Sequence, residues 1–127
     1  MNEIIQRSHE TLQSAADLGF DWPDYKTLLL ALQSEFVEIE EVIENKESRE
    51  RLVEEVGDLL FGCIELCRFL SIPPAESLTI AENKFTKRFG KLMEKLRSEG
   101  KEDMIGESFE QITSRWKQAK IEVDRLK

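Results

Sequence analysis

Four acidic side chains are spaced so that they could share one cation: Glu35 with Glu38, and Glu55 with Asp58. Members of each pair stand three positions apart, which on a helix puts them on one face. A polar stretch, Asn45-Lys46-Glu47-Ser48, separates the pairs. Counted outward from Lys46–Glu47, Glu38 and Glu55 are equally distant, and so are Glu35 and Asp58. A chain that folds back antiparallel at that stretch brings each carboxylate to its opposite number. Four carboxylates meeting at a helix margin repel one another and resist burial. A hard divalent cation removes the conflict, and an all-oxygen donor set suits Mg²⁺ or Mn²⁺. Because Mg²⁺ keeps waters and recruits phosphates, the chemistry to expect is that of a phosphorylated substrate. Acidic pairs on amphipathic helices are usually just solvated, but two pairs mirrored about one turn favour the metal.

The elements that must position these groups are two helices. Leu28, Leu32, Phe36, Ile39 and Ile43 form an apolar stripe on the first arm, and Leu52, Val56, Leu59, Cys63, Leu66 and Leu70 on the second. At about 100° per residue, Glu35 falls roughly 60° and Glu38 about 120° from the centre of the first stripe. On the second arm, Glu55 lies about 40° and Asp58 about 100° from the centre. Both pairs are thus placed on a margin of an apolar face, while Glu41 points away. Ser48 suits the N-cap of the second arm. The hairpin, roughly Leu28 to Leu70, is the centre of the expected fold.

Around it, Asn2 to about Leu18 reads as a helix with Ile4, Ile5, Leu12 and Ala15 on one side and Gly19 as its stop. The connector Gly19-Phe20-Asp21-Trp22-Pro23-Asp24 carries two aromatics, and Pro23 suits the first turn of the next helix. Trp22 is either a core plug or a surface for a nucleobase. Ser71-Ile72-Pro73-Pro74 breaks the chain and restarts it. The following helix, about Ala75 to Arg97, has Leu78, Ala81, Phe85, Phe89, Leu92 and Leu96 at helical spacing. Lys84, Arg88, Lys91 and Lys95 run along one flank, as an ion-pairing face or a phosphate cradle. Ser98 to Gly106 reads as a loop. Ser108 and Gln111 form a capping box for a last helix, whose apolar positions are Ile112, Trp116, Ala119, Val123 and Leu126. Lys120 follows Trp116 by one turn. No stretch reads as a strand, so the expectation is an all-α bundle of about five helices.

At 127 residues the chain is expected to form one domain, 1–127, with a core of its own. Its 26 acidic and 18 basic residues, net charge −8, argue against a nucleic-acid binder that relies on general positive charge. No signal-peptide pattern follows Met1, and no apolar run is long enough for a membrane span, so neither a membrane partner nor export is expected. Cys63 and Cys67 read as packed thiols, in keeping with the cytoplasm. The single His9 reads as a surface residue and argues against a di-iron carboxylate bundle, which needs Glu-x-x-His motifs.

These residues resemble the MazG-type nucleoside triphosphate pyrophosphohydrolases. That family's signature is Glu-Glu-x-x-Glu followed, after a helical turnaround, by Glu-x-x-Asp. The chain has Ser34-Glu35-Phe36-Val37-Glu38 and then Glu55-Val56-Gly57-Asp58-Leu59-Leu60-Phe61. Gly19-Phe20-Asp21-Trp22-Pro23, Lys84-Phe85-Thr86-Lys87-Arg88-Phe89 and the Trp116…Lys120 pair also agree, in order, from Gly19 to Lys120. The resemblance is greatest to the catalytic C-terminal half of two-domain MazG proteins. It implies Mg²⁺-dependent hydrolysis of a nucleoside triphosphate to the monophosphate and pyrophosphate, in nucleotide-pool housekeeping, with Mn²⁺ as a substitute ion. It also implies that Glu35, Glu38, Glu55 and Asp58 are the catalytic metal ligands. Lys84, Arg88 and Lys120 would meet the phosphates, Trp116 and Trp22 would belong to the substrate pocket, and a homodimer or homotetramer would form through the helices. Ser34 stands where the motif often has its first glutamate. That departure keeps a second expectation in play, a catalytically silent helical module for assembly or partner binding.

Overall fold

In the structure, a computed structural model, residues 2–125 are described. They form five α-helices and no strand: α1 (Asn2–Asp17), α2 (Tyr25–Glu44), α3 (Arg49–Phe69), α4 (Pro74–Ser98) and α5 (Phe109–Arg125). The all-α expectation holds. The chain divides into two compact units, one up to Ser77 and one from Leu78 onward, so that the division falls within α4.

In the first unit α1 and α2 both pack on α3. Gly19 ends α1 in the left-handed region (φ +97°), which lets the Phe20 N–H return to the Ala15 carbonyl at 3.0 Å. Asp24 caps α2: its carboxylate accepts from the Thr27 N–H and hydroxyl, each at 2.8 Å. Pro23 therefore stands ahead of the cap, outside the first turn where sequence placed it, because the Asp24 side chain offers the free amides a better start. Ser48 caps α3 as expected, accepting from the Arg51 N–H at 3.3 Å.

The α2–α3 seam departs from the apolar stripes in an informative way. On α2 the covered positions are Leu28, Leu32, Glu35, Ile39 and Val42, whereas Phe36 and Ile43 are exposed. That is a roll of roughly 40°, which moves Glu35 to about 20° from the centre of the covered face. On α3 the covered positions include Leu52, Glu55, Leu59, Gly62 and Leu66, while Val56, Cys63 and Leu70 are exposed. Cys63 is thus not the packed thiol expected of it. The cause is visible at Gly62, where an added Cβ would lie 2.5 Å from Leu32 Cδ2. The absent side chain lets Leu32 nest against the α3 backbone, and the seam then runs through the glycine. On α1 the inward row is Ile5, Ser8, Leu12 and Ala15, with Ile4 half-exposed and Ser8 buried.

The second unit centres on Leu92, Leu96 and Ala119. Phe85 stacks on Phe89 (centroids 5.6 Å apart) and lies 5.3 Å from the Trp116 ring. Leu78 and Phe85, expected in the apolar stripe, are more than half exposed. Ser108 and Gln111 form the capping box, Gln111 N–H to the serine hydroxyl at 3.1 Å and Ser108 N–H to the glutamine carbonyl at 2.8 Å. Arg115 ties the preceding loop to α5 through Glu99 and Glu107, and Lys101 also meets Glu107. Together these cations hold the Glu107 carboxyl down at about 2. Leu126 lies outside the described residues.

Candidate metal centre

The hairpin carries Glu35 on α2 and Glu55 and Asp58 on α3, and their carboxylate oxygens come within 4.8 Å of one another. Glu55 is buried, Glu35 half-buried and Asp58 exposed. The acidic cleft thus runs from a buried carboxylate to one at the surface. Glu38, exposed on α2, stands beside Glu55.

The electrostatics are unfavourable without a counter-ion. Burial, then the charges of Asp58 and Glu55, push the Glu35 carboxyl above its ordinary range. Glu55 is raised as well, first by the hydrogen bond its protonated form makes with Glu38, then by burial and by the Glu38 charge, while Arg51 pulls it down. With the carboxyls ionised, Glu35 Oε2 and Glu55 Oε2 are buried and have no hydrogen-bond partner. Buried carboxylate oxygens left unpaired are costly. Hard oxygen donors, two of them orphaned, at one open cleft fit a hard divalent cation.

Arg51 was not singled out from sequence. Its guanidinium lies 2.9 Å from Glu55 Oε1 and also reaches Glu54 and Glu47. The signal was present, since Arg51 precedes Glu55 by one turn of α3. It adds a half-exposed cation at the edge of the acidic cleft. Trp22, in the connector before α2, is half-buried and donates its indole N–H to Glu65 at 3.3 Å. Phe20, the connector's other aromatic, is exposed.

The remaining expected residues belong to the second unit. Lys84 and Arg88 line one cleft with Lys87, Asn83 and Asp124, and Arg88 lies 3.8 Å from the Asp124 carboxylate. Lys91 pairs with Glu94 at 3.6 Å, so that part of the basic flank is ion-paired. Trp116 is half-buried against Phe85, and Lys120 is exposed one turn on.

Comparison with known proteins converges on one group. A nucleoside triphosphate pyrophosphohydrolase/pyrophosphatase MazG of Thermotoga maritima is 36% identical over 110 residues, covering 85% of this chain and 40% of its own length. A nucleoside triphosphate pyrophosphohydrolase of Escherichia coli K12 is 32% identical over 122 residues, 91% of this chain and 44% of that protein. Over most of its length the chain is similar to these MazG-type proteins. No protein-family model matches it. An uncharacterized protein of Bacillus subtilis, YabN, is 38% identical over 66 residues, 52% of this chain and 13% of that protein.

The chain spans about two fifths of the length of the MazG relatives it matches. Against the MazG-type signature, Ser34 is the departure, and the structure shows what the serine does. It is exposed, and its hydroxyl donates to the Ala31 carbonyl of its own helix at 2.7 Å.

Proposed function

We propose that the chain hydrolyses nucleoside triphosphates to the monophosphate and pyrophosphate, with Mg²⁺ held by Glu35, Glu38, Glu55 and Asp58. The observation that carries this is the pair of buried, unpartnered oxygens on Glu35 and Glu55 at an acidic cleft. The names of the MazG relatives support it. When bound, a divalent ion there supplies charge neutralisation for the polyphosphate and a more acidic water.

The chain's own groups take the rest. Glu35 or Glu38 accepts the proton of the attacking water, since Ser34 is committed to backbone and is a poor base. Arg51, beside Glu55, meets phosphate oxygens and takes charge on the departing pyrophosphate; Lys84, Arg88 and Lys120, in the second unit, are the phosphate contacts that the MazG-type resemblance implies. Trp22 offers apolar surface to the nucleoside, and Trp116, in the second unit, is the pocket residue that the resemblance implies. Exposed Phe36, Val37, Val53 and Leu60 on α2 and α3 supply apolar surface for a second copy, giving a homodimer or homotetramer. A cytoplasmic role in nucleotide-pool housekeeping fits this chemistry. No helix among the described residues is long and apolar enough to cross a membrane.

The test is a panel of canonical and modified ribo- and deoxyribonucleoside triphosphates with Mg²⁺, followed by product analysis. Pyrophosphate with monophosphate is the expected result. Release of orthophosphate refutes the proposed cleavage. No turnover with any substrate favours the silent helical module that Ser34 keeps in play.

A further inference from the structure

A closed circuit of hydrogen bonds surrounds Trp22, and Arg68 is its hub. The Trp22 backbone N–H donates to Asp21 Oδ1 at 2.7 Å. The same oxygen accepts from Arg68 Nη2 at 2.6 Å. Arg68 Nε donates to Glu65 Oε1, and Glu65 Oε2 in turn accepts the Trp22 indole N–H at 3.3 Å. The circuit thus runs from the Trp22 backbone through Asp21, Arg68 and Glu65 back to the Trp22 ring. The side chain of Arg68 is only 5% exposed and that of Glu65 13%. A buried arginine is expensive to keep unless its charge and its donors are matched, and here both carboxylates that match it also hold one tryptophan.

The location gives this arrangement a use. Glu65 follows Asp58 by seven positions on α3. Seven residues advance about 10 Å along a helix and come round to nearly the same face. That separation is about the reach from a nucleotide's phosphates to its base. The polar groups of Trp22 are consumed by the circuit, so what it has left to offer a ligand is its ring surface, to which any base can stack.

We propose that Arg68 is a positioning residue for nucleobase binding: through Asp21 and Glu65 it locks Trp22 at the height of α3 where a base arrives when the triphosphate occupies the acidic cleft. This rests on the function proposed above. Arg68 touches no phosphate in this scheme. Its effect is on how well the nucleoside is held and not on the bond that breaks.

The experiment compares the wild type with Arg68→Met, Arg68→Lys and Asp21→Ala in steady-state hydrolysis, together with the Mn²⁺-induced rise in melting temperature. In a Trp116→Phe background, acrylamide quenching follows Trp22 alone. Loss of an ordered stacking surface corresponds to a rise in KM of about tenfold. The expected result is that rise in Arg68→Met and Asp21→Ala, with kcat and the Mn²⁺ response unchanged and Trp22 more easily quenched. Arg68→Lys keeps the charge and recovers part of the loss. Asp21→Ala removes the shared acceptor, opens the circuit at its exposed end and carries the test if Arg68→Met does not fold. An unchanged KM with a freed Trp22 overturns the proposal, as does a fall in kcat and Mn²⁺ response together, the mark of a merely structural role. A wild type that hydrolyses nothing refutes the functional proposal and this one with it, whereas an active wild type with insensitive variants refutes the positioning alone.

Discussion

Replacing Glu35 with glutamine is expected to make the metal-free protein more stable while removing most of its response to metal. The amide keeps the size of the side chain and discards its charge. Two unit charges 4.8 Å apart repel by about 3.5 kcal/mol at an effective dielectric of 20 and by about 1 kcal/mol in bulk water. Glu35 is half-buried and Asp58 exposed, so solvent screening brings the relief on losing the Glu35 charge to about 1–2 kcal/mol. For a chain of this length that is a rise in melting temperature of about 3–8 °C. The pH dependence follows from the direction of the shift. Burial, Asp58 and Glu55 raise the Glu35 carboxyl above its ordinary value of 4.5. A raised carboxyl holds its proton more tightly in the folded than in the unfolded chain. Its penalty is therefore absent below about pH 4.5, grows as the pH rises towards the folded value, and is complete above it. The advantage of Glu35→Gln should be full at mildly alkaline pH and vanish in acid. Scanning calorimetry in a chelator, repeated with Mg²⁺ or Mn²⁺, reads both effects. Wild type should gain stability from the ion and the variant should gain little. A metal-free variant that is no more stable than wild type at alkaline pH, or one that keeps the full metal response, would refute the account of the cleft as a cation site strained by its own charge.

Further expectations concern the elements that hold the cleft. Glu38→Gln and Asp58→Asn should each lose most of the metal-induced rise in melting temperature, and an unchanged rise in both would remove them from the site. Gly62→Ala should stay within about 1 kcal/mol of wild type in urea, because the helix-propensity gain offsets the turning of Leu32 away from the new Cβ. Gly62→Leu should cost about 1–3 kcal/mol, and a neutral result would mean the seam is not tight there. Ser48→Ala should cost about 1 kcal/mol through loss of the α3 cap, measured the same way. The depressed Glu107 carboxyl contributes stability that is present above its ordinary value of 4.5 and lost as the pH falls through about 2. Glu107→Gln should flatten the fall of melting temperature over that acid range, and an unaltered slope would show that the loop tie carries no weight.

The helices were legible because their signals are local. Ser48, Gly19, the Ser108–Gln111 box and the Pro73–Pro74 break act within a turn of where they stand, and the elements begin and end near them. The orientation of the hairpin was less so, and the error has one source. Hydropathy assigns faces by apolar side chains, so it placed Phe36, Ile43, Val56 and Cys63 inward and left Glu35 and Glu55 at the margin. The fold instead puts the glutamates in the seam and the phenylalanine outside. Gly62 contributes by what it lacks, which a scale of apolar character cannot register. Mirror spacing about Lys46–Glu47 still anticipated the meeting of Glu35, Glu55 and Asp58, because spacing depends on where the chain turns and not on how far each helix is rolled.

The same distinction explains what sequence missed at the edges of the cleft. Arg51 is a short-range partner of Glu55 and was there to be found, whereas Arg68 acts on residues 46 and 47 positions away in the chain, Trp22 and Asp21. Only the folded chain makes that arginine a neighbour of the connector. Acidic side chains buried in a seam against their own repulsion, with oxygens left unpaired, are what a fold retains when something else completes them. Apolar residues turned outward on the same two helices are the matching cost on the other face. Both departures from simple patterning occur on the hairpin, where the proposed cation would relieve the first and the proposed second copy the second. That coincidence is the physical reason to look for the metal on the hairpin, whereas Glu99 and Glu107 in the second unit already have Arg115 and Lys101 as their cations.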